Sequence, residues 1–139
     1  MRPSGLGQDG QSIVEFSLGI AVFLVILMGT VDAGRAAYQL NGVSSAAREI
    51  ARVTSVHPGG TLGSSSETAA VVAAQTRLVP GLVVTSYSCL DLAGATVAGA
   101  CQSGDWVKVG VQSRFVPVTP VLSLIGSVLL TSSSSARVE

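Results

Sequence analysis

Residues 11–31, QSIVEFSLGIAVFLVILMGTV, decide the fold of this chain. From Phe16 to Val31 the run has no charged residue, and extending it back to Ile13 adds only Glu15. A helix of about 20 residues, at ~1.5 Å per residue, crosses the ~30 Å hydrocarbon core of a membrane. The alternative is a cleaved secretory signal, but the apolar part of such a signal has ~7–15 residues and an A-x-A-like site follows it. No such site directly follows Val31, so we predict a retained membrane-spanning helix.

The composition of the whole chain also points to a membrane-associated protein. Of its 139 residues, 47% are hydrophobic and 12% are charged, and the formal net charge is zero. This composition excludes a disordered chain, and the lack of net basic charge argues against nucleic acid as a partner. There is one histidine, His57, and the four aspartates and four glutamates are not clustered. We therefore predict no enzyme, no metal site and no cofactor.

The helical pattern continues beyond the membrane segment. Apolar and small residues recur at spacings of three and four, so we predict one helix from Gln11 to Ser55, ended by His57–Gly60 (HPGG). Within it, Gly29, Ala33 and Ala37 form a row of small residues of the kind that lets helices approach closely. Such rows are also common in any alanine-rich helix.

The rest of the chain predicts a second helix and a sheet. Ser64 and Glu67 fit a capping box that opens a helix from Glu67 to Val79. Three stretches rich in β-branched or alternating residues predict strands: Leu82–Cys89, Trp106–Phe115 and Ser127–Glu139. The predicted fold class is α+β. A long N-terminal membrane-spanning helix continues into a small exported domain with a second helix and an antiparallel sheet of about three strands.

One apolar stretch between the last two predicted strands has two possible structures. Val116–Leu130 could be read as a second membrane helix, but Pro117, Pro120 and Gly126 interrupt it. A turn or short helix from Pro120 to Ile125 fits better.

The two cysteines bear on the cellular compartment in which the C-terminal region lies. Cys89 and Cys101 flank a loop rich in glycine and alanine, and in an exported domain such a pair most simply forms a disulfide. Free thiols in a reducing compartment are the alternative. The positive-inside rule, with Arg2 before the membrane run and Arg35 and Arg48 after it, mildly favours the opposite orientation. Because the N-terminal tail is short and both cysteines follow the membrane run, we predict an extracytoplasmic C-terminal domain.

A short motif at the start of the membrane run predicts processing. Gly10 is followed five residues later by Glu15, an acid at the lipid boundary that needs a partner. If the chain is cut after Gly10, the new amine of Gln11 supplies that partner in the same subunit or in a neighbour. The arrangement resembles the type IV prepilin processing site. Without that resemblance, the same residues would be read as a flexible tail before an interfacial acid.

A longer match is more specific. The chain resembles the TadE-like family of the Tad (tight adherence) pilus system. The matching N-terminal pieces are the Gln-x-x-Val-Glu-Phe start at residues 11–16, the apolar run, Asp32-x-Gly34-Arg35, and Ala46-Ala47-Arg48-Glu49-x-Ala51-Arg52. The matching C-terminal pieces are Phe115-x-Pro117-x-Thr119-Pro120, Ile125-Gly126 and the final Arg137-Val138-Glu139.

The resemblance implies a minor pilin or pseudopilin, a structural protein in the assembly of a Tad-type adhesive pilus. Residues 1–10 would be a prepilin-type leader, residues 11–31 a transmembrane helix and residues 32–139 an exported pilin-like α+β domain. Gly10 and Gln11 would flank the processed bond, and Glu15 and Phe16 would serve assembly. The implied partners are the membrane, a prepilin peptidase, other Tad pilin-like subunits and the assembly platform.

The implied location is the bacterial cytoplasmic (inner) membrane, as a single-pass protein with its C-terminal domain extracytoplasmic, or the pilus fibre itself. An alternative that the sequence leaves open is a single-pass membrane-anchored extracytoplasmic binding module.

Overall fold

A computed structural model describes residues 8–98, 101–119, 123–124 and 126–139. In chain order, these residues form helices α1 (Gln8–Val56) and α2 (Ser66–Leu78), then strands β1 (Val83–Leu90), β2 (Thr96–Val97), β3 (Trp106–Phe115) and β4 (Val128–Arg137). The predicted α+β class is confirmed, and the short strand β2 is added to the three predicted strands. Residues 1–7 of the predicted leader lie outside the described residues. Of the turn or short helix predicted from Pro120 to Ile125, residues 123–124 are described.

Helix α1 has two halves with different surroundings. At ~1.5 Å per residue, its 49 residues extend for about 74 Å. The large apolar side chains of the first half, through Val31, are exposed, whereas from Val43 onward one face of the helix is buried. Among the described residues, α1 is the one helix long and apolar enough to cross a membrane. The first half therefore has an exposed apolar surface, and contact between such a surface and water is unfavourable.

The loop after α1 leads into α2 through a single serine cap. The side chain of Ser65 accepts a hydrogen bond from the backbone N–H of Thr68 at 3.2 Å, which makes Ser65 the N-cap. The predicted capping box with Ser64 is therefore wrong by one residue. Ser64 instead accepts a hydrogen bond from the backbone N–H of Thr61 within the loop, at 3.2 Å. The pKa of Glu67 is lowered by hydrogen bonds from its own backbone amide and from the Ser66 hydroxyl.

The four strands form one antiparallel sheet in the order β2-β1-β3-β4. The long strands β3 and β4 pair along their whole length, from Trp106 opposite Arg137 to Phe115 opposite Val128. The register of β1 against β3 shifts between Val84 and Ser86. Gly110 lies at this shift, where an added Cβ would come within 2.6 Å of the Ser86 hydroxyl. A side chain at this position would therefore force the Ser86 and Thr85 hydroxyls to move.

The core lies between the second half of α1 and one face of the sheet. Small side chains of the helix meet the inward valines of β3, and the buried residues are Val43, Ala46, Ala47, Ile50, Ala51, Val107, Val109 and Val111. Alanine at three of these helical positions lets the helix lie close to the sheet. A buried contact between the hydroxyls of Thr54 and Thr68, at 3.2 Å, joins α1 to α2.

Candidate functional site

The residues predicted for processing and assembly lie together at the start of α1. Gly10, Gln11, Glu15 and Phe16 are all exposed. From Gly10 to Asp32, where the helix first meets the loop after β3, the distance along the axis is about 33 Å at ~1.5 Å per residue. The structure therefore places these four residues away from the α+β domain that follows Val31, on an exposed part of α1. The peptide bond between Gly10 and Gln11, predicted to be cleaved, lies within α1, because the helix begins at Gln8 rather than at Gln11.

The two cysteines lie at disulfide distance, as predicted. Their Cα atoms are 5.7 Å apart, and the pair encloses the short strand β2. Cys89 ends up buried near the end of β1, where its neighbour Leu90 pairs with Trp106 of β3. The covalent link would therefore fasten the β1–β2 hairpin to the edge of the sheet at the end distant from the membrane run.

Asp32 is the central residue of a site that the sequence analysis did not assemble. It directly follows the uncharged run, yet its side chain is only 2% exposed. The carboxylate accepts hydrogen bonds from the backbone N–H of Thr119 at 3.0 Å and from the Thr119 hydroxyl at 2.7 Å. The backbone N–H of Val118 donates to both carboxylate oxygens, at 3.2 and 3.3 Å. Asp32 thus holds the loop after β3 against α1.

Arg35 completes the neutralisation of this buried acid. Its guanidinium donates to Asp32 at 2.9 Å, one helical turn along α1, and the two side chains form an ion pair. The same guanidinium lies 5.6 Å from the ring centroid of Phe115, the last residue of β3. A cation over an aromatic face is attracted by the ring quadrupole. Arg35 therefore contacts both the acid and the sheet.

One further turn along the helix, Gln39 makes the third contact of the same face. Its side-chain amide donates to the Ser113 hydroxyl at 2.7 Å and to the carbonyl of Arg114 at 3.3 Å. Ser113 is buried, and its hydroxyl donates in turn to the carbonyl of Pro80 at 2.7 Å. This relay joins α1, β3 and the turn that follows α2.

Together these contacts define a surface that we call the exit junction, formed by Asp32, Arg35 and Gln39 of α1 with Phe115 and Val118–Thr119. The three helical residues follow spacings of three and four, so they lie on one face of α1. They fix the rotation and the axial position of the helix relative to the sheet. A change in the position of the first half of α1 would therefore be transmitted to the α+β domain that follows it.

An open cleft lies beside the exit junction. It has a volume of about 820 Å³ and is bounded by α1, the end of α2 and the end of β3, with Tyr38, Gly42, Leu78 and Phe115 among its lining residues. In the ranges of the chain that the structure describes, no group of three or more His, Cys, Asp or Glu side chains is arranged to hold a metal ion.

The comparison with protein families confirms the resemblance predicted from the sequence. The family model described as TadE-like protein matches residues 10–52. The match starts at Gly10, covers the apolar run, includes the helical half of the exit junction and ends beside the core residues of α1. No curated protein and no solved structure matches the chain.

The sequence analysis had singled out both halves of the exit junction without joining them. Asp32 and Arg35 were noted as part of one motif, and Phe115 to Pro120 as part of another. The signal that could have linked them is an acid immediately after an uncharged run, because a carboxylate so close to lipid requires several donors.

Proposed function

We propose that this chain is a minor pilin or pseudopilin-like structural protein that takes part in the assembly of a Tad-type adhesive pilus. The observation that carries the proposal is the family match over residues 10–52, which covers almost all of α1, its exposed first half and most of the half that packs on the sheet. A pilin-like role accounts for a helix whose first half is apolar and exposed.

The exposed half of α1 anchors the protein in the cytoplasmic membrane in this proposal. From Gln11 to Val31 the helix rises about 30 Å, which equals the thickness of the hydrocarbon core. The exported domain then lies on the extracytoplasmic side. The pairing of Cys89 with Cys101 supports this orientation, since disulfides persist in oxidising compartments.

Processing after Gly10 by a prepilin peptidase would release the leader and create a new charge. The new α-amine of Gln11 is a cation about one helical turn from the exposed carboxylate of Glu15. Pairing between this amine and Glu15, within one chain or between neighbours, would offset the cost of placing an acid at the lipid boundary.

Assembly would then depend on packing between helices rather than on chemistry. The exposed apolar surface of α1, including Phe16, is available to other Tad pilin-like subunits and to the assembly platform. Gly29 leaves room for such a neighbour, since an added Cβ there would lie more than 4 Å from every described atom outside its own helical segment.

The experiment that tests processing is a measurement of the mature N-terminus in a strain that carries the Tad system. Intact mass and N-terminal sequencing of the membrane-extracted protein are expected to show a chain that starts at Gln11. Gly10→Ala should leave the leader attached. Gly19→Ala is the matched control, because both glycines lie in exposed α1 and an added Cβ meets no described atom within 4 Å at either. A wild-type protein that still starts at Met1, or equal processing of both variants, would contradict the proposed maturation.

A further inference from the structure

The connection between β3 and β4 has an unusual surface. From Phe115 to Ala136 the sequence contains no charged residue. Its exposed side chains in the described part include several large apolar ones: Val116, Val118, Leu124, Val128 and Leu129. Val118 is 72% exposed although its backbone is held firmly by Asp32. Apolar residues clustered this way mark a surface that contacts something other than water.

The exit junction determines where this surface lies along α1. Val118 shares a shallow pocket with Leu27, Met28 and Val31, the last turn of the apolar run. The pairing of Phe115 with Val128 and of Arg114 with Leu129 puts the start of β4 at the same end of the sheet. The exposed apolar residues therefore gather beside the C-terminal end of the apolar run.

The depth of this end in a membrane follows from the helix geometry. If the hydrocarbon core begins at Gln11, its other boundary lies ~30 Å along the helix, at Val31. Leu27 is then about 6 Å inside that boundary. Val118, which lines the same shallow pocket as Leu27 and Met28, is then within about 6 Å of this boundary. Elements that lie in a membrane interface bury their apolar face to ~5–10 Å, which is the same depth.

We propose that the exposed apolar residues on the described parts of the β3–β4 connection and at the start of β4 (Val116, Val118, Leu124, Val128 and Leu129) form an interfacial surface that inserts into the outer leaflet of the membrane beside α1. The occupant of this surface is lipid, because it continues the lipid-facing surface of α1 and lacks any charge of its own. The hydrogen bonds that Val118 and Thr119 donate to Asp32 fix this part of the connection to the helix, so insertion of α1 brings it to the boundary. Arg35, half-exposed at this level, and Arg114, exposed beside Leu129, are placed to reach lipid phosphates.

This inference rests on the membrane anchoring in the proposed function and not on the assignment to a pilus. If it holds, the exported domain is attached to the membrane at two points, and it stands at a fixed height and angle above the lipid surface. A domain attached only by α1 would be free to tilt. Release of the connection from lipid would then accompany any extraction of the subunit from the membrane.

The test measures the depth of single tryptophans in the full chain. Trp106→Phe provides the background, because Trp106 is the one tryptophan of the chain and lies at the distant end of β3. Three single substitutions are made in this Trp106→Phe background. Val118→Trp is the reporter, Val22→Trp is the reference in the middle of the apolar run, and Leu92→Trp is the control. Leu92 is 79% exposed and follows β1 at the distant end of the sheet. Leu124→Trp is a second reporter should Val118→Trp disturb the hydrogen bonds to Asp32.

The proteins are reconstituted in vesicles of phosphatidylethanolamine and phosphatidylglycerol with lipids brominated either near the headgroup or near the chain ends. We expect Val118→Trp and Leu124→Trp to lose fluorescence mainly with headgroup-proximal bromines, Val22→Trp mainly with chain-end bromines, and Leu92→Trp with neither. Quenching at Val22 without quenching at either reporter would overturn the inference while leaving the anchor intact. Equal quenching of the reporters and Leu92 would overturn it as well. Absence of quenching at Val22 would contradict the membrane span itself, and with it both proposals.

Discussion

Removal of the cross-link between Cys89 and Cys101 should destabilise the α+β domain that follows Val31 by about 3 kcal/mol. The two residues are 12 apart in sequence, and closing a loop of that size removes about 10 cal/mol/K of entropy from the unfolded chain, or ~3 kcal/mol at 25 °C. A small domain has a stability of only ~5–15 kcal/mol, so this loss is a large share of the total.

The assay is a urea titration of the full chain in detergent micelles, followed by the fluorescence of Trp106. This residue pairs with Leu90 on one side and with Arg137 on the other, so it reports the unfolding of the sheet. The variant is Cys89→Ala combined with Cys101→Ala, and the internal control is the wild-type chain in reducing agent, which keeps both side chains and breaks only the cross-link.

Both samples should unfold at lower urea than the oxidised wild type, and by similar amounts. If the reduced wild type retains the midpoint of the oxidised protein with the same slope, the pair does not stabilise the fold. If maleimide labelling of the protein in intact cells finds two free thiols, the proposed extracytoplasmic location is contradicted.

Three further predictions concern the contacts that hold α1 to the sheet and the strands to each other. Asp32→Asn puts an amide donor where backbone donors converge, so hydrogen exchange at the Thr119 amide should accelerate; an unchanged rate would show that the carboxylate does not hold the loop. Ile50→Ala, at a position 0% exposed, should cost ~2–5 kcal/mol in the same urea titration, whereas Ile50→Val should cost ~0.5–1.5 kcal/mol; equal small losses would argue against tight helix–sheet packing. Gly110→Ala should lower the urea midpoint because of the 2.6 Å approach to the Ser86 hydroxyl, and adding Ser86→Gly should restore part of it; a midpoint unaffected by Gly110→Ala would contradict the close approach of the strands.

The period of the sequence predicted that α1 continues as a helix beyond the membrane run but not which of its residues are buried. Val43, Ala47 and Ile50 are buried. Ala33 and Ala37 belong to the same helical pattern and are exposed. The period of 3.6 residues defines a direction around the helix, whereas the extent of burial depends on where the sheet ends.

The strands were predictable because alternation is a local property, and their pairing partly so. Strand β3 was predicted with its observed bounds, since its inward valines alternate with outward polar residues. The two-residue strand β2 has no pattern of its own and exists through its pairing with β1. The predicted N-cap of α2 differs from the observed one by one residue. Ser64, Ser65 and Ser66 are equally able to cap a helix, and the geometry of the preceding loop selects among them.

The exit junction was beyond prediction for a different reason. Asp32 and Thr119 are 87 residues apart, and no periodic pattern reports a contact at that separation. Each residue also has a sufficient local explanation, Asp32 as the partner of Arg35 and Thr119 as a loop residue beside prolines. The fold brings the two together because β3 runs toward the membrane end of α1.

The most direct test of the proposed role in pilus assembly is a count of surface pili on cells of a Tad-bearing strain with and without this protein. Deletion of its gene should abolish or sharply reduce the appendages, and expression of the wild-type chain in trans should restore them. Normal numbers of pili in the deletion strain would contradict the assignment, whatever the N-terminus and the membrane depth of the isolated protein prove to be.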